Sequence, residues 1–399
     1  MNKIIVLFFL IMFVIGTDTF LISPLIPTLQ SRFGVPTGTA GWMMGAYTLG
    51  STLFALIAGP LSDGWDRKKV LLSGLACFAV STCLCGFAVD FWTMCLFRFM
   101  AGVSAAFTAP QVWASIPALF PPAKIGKVLG IAYAGLAVSQ AFGVPIGSVL
   151  ATGGWFLPFW AIGLFSLLLA VAVFFAVPGM KPHEQQGAKP SIIKRYVPLL
   201  TSGRARGTFL AYFFVHLGSS AAFVFLGKWM TDRFSLSVDE TGYVILFLGL
   251  GNLFGSLCSS YAVKAFHPFH TMTAGLLIIS AAYIVLPHVS SVYIVKGAYF
   301  FIFFILGILF PLMVGLLNSL NPAIRGTISS LATSTMNAAT TSGAWIAGMI
   351  YAVYNGYTAV GIFTGICLAC SLFVFISSGA LSNRTEKTKT HTEPLFKSR

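Results

Sequence analysis

Apolar runs of about twenty residues or more recur along the whole chain, centred near residues 16, 50, 79, 105, 138, 166, 219, 252, 278, 304, 339 and 368. Each is long enough for a helix to cross roughly 30 Å of hydrocarbon at about 1.5 Å per residue. Run length of this order excludes strands, which cross the same thickness in about ten residues. A length of 399 residues would otherwise suggest two or three soluble domains, but 57% hydrophobic and 9% charged residues, with 38 phenylalanines, overrule that reading. The expected fold is all-α and membrane-integral, with twelve transmembrane helices.

The first run begins just after Lys3 and could be mistaken for a secretory signal. No small-residue cleavage site follows it, and the apolar stretch continues past Asp18 to Pro27, so it reads as an uncleaved first span. The seven cysteines all fall within apolar runs, where a thiol behaves as a small hydrophobe; disulfides are not expected.

A net charge of +14 invites a nucleic-acid reading, but the placement of the basic residues argues for topology instead. About 19 of the 24 fall on one side of the membrane: Lys3, the cluster Arg67 to Lys69, Lys124 and Lys127, six residues from Lys181 to Arg206, Lys264, Arg325, and the tail from Arg384 to Arg399. The opposite side holds Arg32 and Arg233. The positive-inside rule then places both termini in the cytoplasm of a multi-pass protein of the inner (plasma) membrane. Its expected partners are membrane lipid, protons and a small-molecule substrate, not nucleic acid. No feature calls for a cofactor or a metal, and the chain is read as a monomer.

One long polar segment interrupts the pattern midway. It divides the chain into a six-helix bundle over 1–177, a linker over 178–206, a second six-helix bundle over 207–380 and a basic tail over 381–399. Within the linker, SIIKRYVPLL suits a short helix on the membrane surface or a plain connection. Small residues recur every fourth position at Gly135, Ser139, Gly143 and Gly147 in span five, and at Gly251, Gly255 and Ser259 in span eight, so each set shares one helix face. These stripes are expected to form the seam between halves, with packing inside one half as the alternative. Pro145 beside the first stripe should bend span five by removing a helical hydrogen bond.

Asp18 is the one carboxylate of ten that lies deep in an apolar run. An ionisable group there costs roughly 2.5 to 3.5 kcal/mol on insertion scales, which makes an ion pathway the first hypothesis. Asp18 lies about eleven residues below Leu29, and Arg98 about seven below Phe91, so their depths differ by only about 6 Å. Whether Asp18 holds a proton should depend on how closely Arg98 approaches and on hydration, and alternating access changes both. Two other readings stand beside proton coupling: a permanent pair that fixes helix packing, and direct binding of a cationic substrate by Asp18. His216, near the midplane of span seven, is more simply a hydrogen-bonded structural residue than a proton carrier. His267 and His270 have a spacing compatible with a metal but no further ligand nearby, and are read as loop.

Gly59-Pro60-Leu61-Ser62-Asp63-Gly64-Trp65-Asp66-Arg67-Lys68-Lys69, between spans two and three, resembles the signature loop G-x-L-x-D-R-x-G-R-[KR] of the major facilitator superfamily. Gly59, Leu61, Asp63, Arg67 and Lys68 match, whereas Gly64 and Asp66 depart from it. Arg98 to Gly102 is similar to the family's R-x-x-x-G proton-coupling motif, and Gly143-Val144-Pro145-Ile146-Gly147 to its span-five motif associated with antiporters. The second half lacks an acidic residue where it should echo the signature loop, at Ser260 to Lys264. The resemblance implies the major facilitator fold, with 3 + 3 inverted repeats in each half, and rocking around a midplane site. It also implies a latch made by Gly59, Asp63, Arg67 and Lys68 against Arg325, and a proton-coupling role for Arg98, beside which the depth of Asp18 places the carboxylate.

For the substrate wall, Gln111 and Trp113 in span four, Gln140 in span five, Asn252 in span eight and Asn337 in span eleven offer hydrogen bonds or stacking at intermediate depth. The function expected is a multidrug-type secondary transporter that exports a drug-like or amphipathic compound in exchange for protons. Sugar or nucleoside efflux or uptake, by proton symport or uniport, is the alternative within transport; a channel or a membrane receptor is the alternative outside it. No enzymatic activity is expected, and a primary pump is disfavoured because no G-x-x-x-x-G-K-[ST] loop occurs.

Overall fold

In the computed structural model, which describes residues 2–62, 65–180, 192–321 and 324–380, the chain is helical almost throughout. Helices suit such a sequence because hydrocarbon offers backbone groups no hydrogen-bond partner, so each must be satisfied within its own segment. Span one is broken into Asn2–Phe20 and Ile22–Phe33, and span two runs over Trp42–Ser62 after a short turn at Thr37–Ala40. Spans three and four are Arg67–Cys85 and Phe91–Leu119. Span five comprises Pro122–Val138, a π-helical turn at Ser139–Gly143 and Val144–Thr152; span six is Leu157–Ala176. After a linker helix, Ile192–Thr201, span seven is again broken, into Gly203–Val224 and Leu226–Phe234. Spans eight to twelve are Val238–Ala265, Pro268–Val285, Val292–Ser319, Arg325–Tyr354 and Tyr357–Ser377.

Eleven of these segments are long and apolar enough to cross a membrane. Span eleven is the exception, because hydroxyl and amide side chains crowd it between Thr327 and Ser342. It tolerates them by lying between two other helices. Ser334 Oγ donates to the Thr52 carbonyl at 3.0 Å, Asn337 Nδ2 to Ser51 Oγ at 2.9 Å, and Thr340 shares a 2.9 Å hydrogen bond with Ser220 of span seven.

The two halves repeat one packing scheme. Span two packs on four, one on five and three on six; correspondingly, eight packs on ten, seven on eleven and nine on twelve. The broken spans correspond as well, with the break at Leu21 in span one and at Phe225 in span seven.

Backbone contact through glycine sets several of these pairings, and it corrects the expected position of the seam. The stripe in span five faces span one of its own half. A Cβ at Gly135 would overlap the Phe9 carbonyl, one at Gly143 the Thr17 hydroxyl and one at Gly147 the Leu21 side chain, while Ser139 sits against Gly16. Gly251 and Gly255 likewise face the Phe300 and Phe304 carbonyls of span ten. Both stripes therefore bind helices within a half, because a four-residue repeat stays on one face, and that face is already occupied.

The contacts between halves use other positions. Gly249 abuts the backbone of Gln140 and Ala141, and Gly242 abuts Pro145 and Ser148, so Pro145 of the expected set meets the opposite half. On the other flank Gly41 abuts the Ala344 carbonyl and Gly348 that of Gly38. At the breaks, Gly227 lies against the Ser23 carbonyl and Ser23 Oγ donates to the carbonyl of Phe223. These contacts cluster toward the face away from the basic loops, and there the halves are closed.

The π-turn in span five has a local cause. Proline at 145 has no N–H to return to the preceding turn, and the Val144 amide bonds the Ser139 carbonyl five residues back instead of four. The extra residue carries Gln140 round to the facing span eight.

Candidate functional site

Asp18 stands in the last turn of the first helix, three residues before its break, and Arg98 stands seven residues after Phe91 in span four. The structure brings them together. Arg98 Nη1 donates to Asp18 Oδ2 at 2.8 Å, and both side chains are 0% exposed. Arg98 Nη2 also donates to the Asp18 carbonyl at 3.2 Å, and Nε to the Met43 carbonyl at 3.2 Å. The guanidinium carbon lies 4.5 Å from the ring centroid of Tyr47. A carboxylate, two carbonyls and a π face thus surround one cation, which is how a buried charge is made tolerable.

The glycine of the R-x-x-x-G pattern explains how Tyr47 and Met43 reach it. A Cβ at Gly102 would overlap the Tyr47 carbonyl, and one at Gly50 the carbonyl of Phe99. Spans two and four touch backbone to backbone there, which delivers the Tyr47 ring onto Arg98. Asp18 Oδ1 has no hydrogen-bond partner among the described residues. The carboxylate therefore keeps one oxygen free to accept a proton while the other holds the guanidinium.

Span seven repeats this geometry without charge. Tyr299 stands seven residues after Val292 in span ten, as Arg98 does after Phe91, and Ala222 stands three residues before the break at Phe225, as Asp18 does before Leu21. Tyr299 and Tyr357 share a 2.9 Å hydroxyl hydrogen bond, and Tyr357 donates to the Ala222 carbonyl at 2.8 Å. Trp229 stacks on Tyr357 at 4.4 Å.

The residues expected to line a substrate site have divided roles. Gln140 accepts from Asn252 Nδ2 at 3.0 Å, so this pair bridges spans five and eight. Asn337 bonds Ser51, and one turn further along span eleven Thr341 shares a 2.8 Å hydrogen bond with Thr48. These three amides join the halves in this conformation. Gln111 is buried within span four, and Trp113 stacks on Tyr133 of span five at 4.2 Å.

Asp63 and the side chain of Arg325 lie outside the described residues; Gly59 falls in the last turns of Trp42–Ser62. The other two latch residues are tied within their own half. Arg67 Nη1 bonds the Ala114 carbonyl of span four, and Lys68 Nζ donates to the Phe174 carbonyl of span six at 2.8 Å. Asp66, which departs from the motif, caps span three through the Lys68 amide at 2.9 Å and accepts from the Met180 amide at 3.1 Å. His267 is not loop but the N-cap of span nine, accepting from the Phe269 amide, and His270 lies inside that helix. Tyr47, Thr48, Ser51 and Thr341 went unnoticed in the sequence because a hydroxyl in an apolar run carries no periodic signal.

Comparison with known proteins agrees with this architecture. The family model described as Major Facilitator Superfamily matches residues 8–207 and again 208–398. An uncharacterised MFS-type transporter of Bacillus subtilis (strain 168), YceJ, is 47% identical over 375 residues, which cover 94% of this chain and 96% of that one. A chloramphenicol resistance protein of Streptomyces lividans is 28% identical over 242 residues, covering 60% and 61% of the two chains. Among solved structures, that of a D-xylose-proton symporter superposes with a TM-score of 0.79 at 16% identity, over 94% of this chain and 97% of that one. The chain belongs to the major facilitator superfamily, and is a multi-pass membrane transporter rather than an enzyme.

Proposed function

We propose that the chain exports a small drug-like or amphipathic compound in exchange for protons, by alternating access between halves 1–177 and 207–380. In this reading it sits in the inner (plasma) membrane with both termini, and therefore the basic face, in the cytoplasm. The observation that carries it is the sealed Asp18 and Arg98 pair, with one carboxylate oxygen unpartnered, in a conformation closed on the non-basic face. When that face opens, a proton entering from it and settling on Asp18 Oδ1 removes the counter-charge of Arg98. The guanidinium is then held by carbonyls and the Tyr47 ring alone. Closing that face again returns Arg98 to the carboxylate and drives the proton off toward the cytoplasm.

Gln140 with Asn252, and Asn337 with Ser51, are the polar contacts that opening on the far face must break. Water can replace each of them, which keeps that step shallow. Asp63 and Arg325 are proposed to latch the opposite conformation. Efflux as the direction is supported by the similarity to the chloramphenicol resistance protein of Streptomyces lividans.

Export from proteoliposomes under an imposed pH gradient tests the scheme. Asp18→Asn should abolish gradient-driven transport and retain counterflow exchange of substrate. Gradient-driven transport at the native rate in that variant overturns the proposal, and absence of counterflow in the native protein would point to a channel.

A further inference from the structure

Spans two and four of the first half can be laid residue by residue over spans eight and ten of the second. Gly50 abuts the Phe99 carbonyl and Gly251 the Phe300 carbonyl, which fixes one common register for both pairs. That register sets Tyr299 against Arg98, in agreement with their matching places in spans ten and four. It also sets Leu248 against Tyr47, both of them buried, and Phe303 against Gly102. Where Tyr299 replaces the cation, a leucine therefore replaces the ring that lies 4.5 Å from it, and a phenylalanine replaces the glycine that admits the Tyr47 backbone. Packing between such spans is met by an aliphatic side chain in one half; the aromatic one accompanies the charge.

The ring acts differently on the two protonation states of the pair. While Asp18 is ionised, its carboxylate lies 2.8 Å from the guanidinium, and the ring face meets little more than the dipole of an ion pair. Once Asp18 is neutral, the same face meets a full positive charge. The negative face of an aromatic ring attracts a lone cation far more than a dipole, so it favours the protonated state. Without the ring, the guanidinium draws harder on the carboxylate and keeps it ionised to lower pH.

We propose that Tyr47 is a positioning residue whose ring, stacked on Arg98, sets the pH at which Asp18 takes up its proton. The other titratable side chains facing the guanidinium are the thiols of Cys85 in span three and Cys95 in span four. No further carboxylate or cation pairs with either member among the described residues. This rests on Asp18 as the proton site of the transport reading above, and adds the group that tunes it.

The test is infrared titration of the full chain in liposomes, following the protonated-carboxyl band that Asp18→Asn removes. Position 47 is filled in turn with phenylalanine and with mono-, di- and trifluorinated phenylalanine, which keep the shape of the ring and drain charge from its face. The midpoint should stay in place in Tyr47→Phe and fall stepwise with fluorination, by about one pH unit, or tenfold in proton affinity, for the trifluorinated ring. Tyr47→Leu, which installs the side chain of the matching position, should fall at least as far. A midpoint indifferent to fluorination, a drop in Tyr47→Phe equal to that in Tyr47→Leu, or no titrating Asp18 band between about pH 4 and pH 10 overturns the proposal. The two readings fail separately. Gradient-driven transport surviving Asp18→Asn removes the coupling scheme and leaves the titration of Asp18 to be read, whereas proton-driven export with a midpoint indifferent to fluorination removes the role of the ring alone.

Discussion

Substituting Asp18 and Arg98 singly and together measures how far each depends on the other. In Asp18→Asn the guanidinium keeps the backbone carbonyls of Met43 and of position 18, and the Tyr47 ring, but loses the carboxylate at 2.8 Å. An arginine cannot shed its proton, so a full charge stays buried at 0% exposure, and breaking such a pair costs about 3 to 5 kcal/mol. Arg98→Met strands the carboxylate instead, at a similar cost that falls in acid, because a carboxylate can take up a proton. The double variant leaves no charge, and a methionine fits beside the Tyr47 ring with a favourable sulfur contact of up to about 1.5 kcal/mol. Its stability should therefore exceed that of either single variant, with a coupling energy of about 3 kcal/mol, or roughly 100-fold in the unfolding equilibrium. Unfolding in mixed detergent micelles, followed by tryptophan fluorescence, reads all four proteins. Additive losses, or single losses below about 1 kcal/mol, would refute the interdependence and reduce the pair to a bystander.

Gly102→Ala forces spans two and four apart where the Tyr47 carbonyl fills the space; it should cost about 1 to 3 kcal/mol by overpacking and slow transport by drawing Tyr47 off Arg98, read by the same unfolding assay and by counterflow. Thr48→Cys with Thr341→Cys, in a background with the native cysteines replaced, should form a disulfide across the halves that stops transport until reduced; turnover by the cross-linked protein would contradict the need for these spans to part. At the far face, the Thr93 backbone N–H and then its hydroxyl hold the Asp90 carboxyl below the usual carboxylate range. A depressed value means that this contribution is present above about pH 4 and is lost as pH falls through the lower folded value. Asp90→Asn, which still caps the helix, should show a smaller loss of stability between pH 6 and pH 3 than the native chain; an identical loss would exclude Asp90 as a source of acid sensitivity.

Much of the fold was readable from run length, because hydrocarbon thickness imposes a length on every span and basic loops mark one face. Span eleven tested that rule: its centre was visible, yet it is too polar to qualify by apolarity, since its side chains are satisfied by spans two and seven. The Asp18 and Arg98 pair was legible because a charge at depth is conspicuous and helical rise fixes depth. The seam was not. A repeat of four at Gly135 or Gly251 announces close packing without saying with which helix, and the intervals that do join the halves, Gly242 to Gly249 and Gly38 to Gly41, are short of any stripe. The cation–π contact of Tyr47 was equally hidden, because it depends on the backbone approach at Gly102 and not on spacing within either span.

The breaks in spans one and seven show why a near-symmetric molecule places its charge in one half. Each break leaves carbonyls in the last helical turn without partners in their own helix, and each half must supply a donor from elsewhere. In the first half the donor is Arg98, reaching the Asp18 carbonyl at 3.2 Å and needing the Asp18 side chain to balance its charge. In the second half it is the neutral Tyr357, reaching the Ala222 carbonyl at 2.8 Å and backed by Tyr299 at the position matching Arg98. A tyrosine pair meets the same backbone demand at no cost in buried charge. Satisfying the break therefore does not account for the ion pair, and a chain under selection for packing alone has the cheaper solution already in its other half. What the tyrosines lack is a carboxylate oxygen beside the donor, which is the property that the proposed proton coupling asks of Asp18.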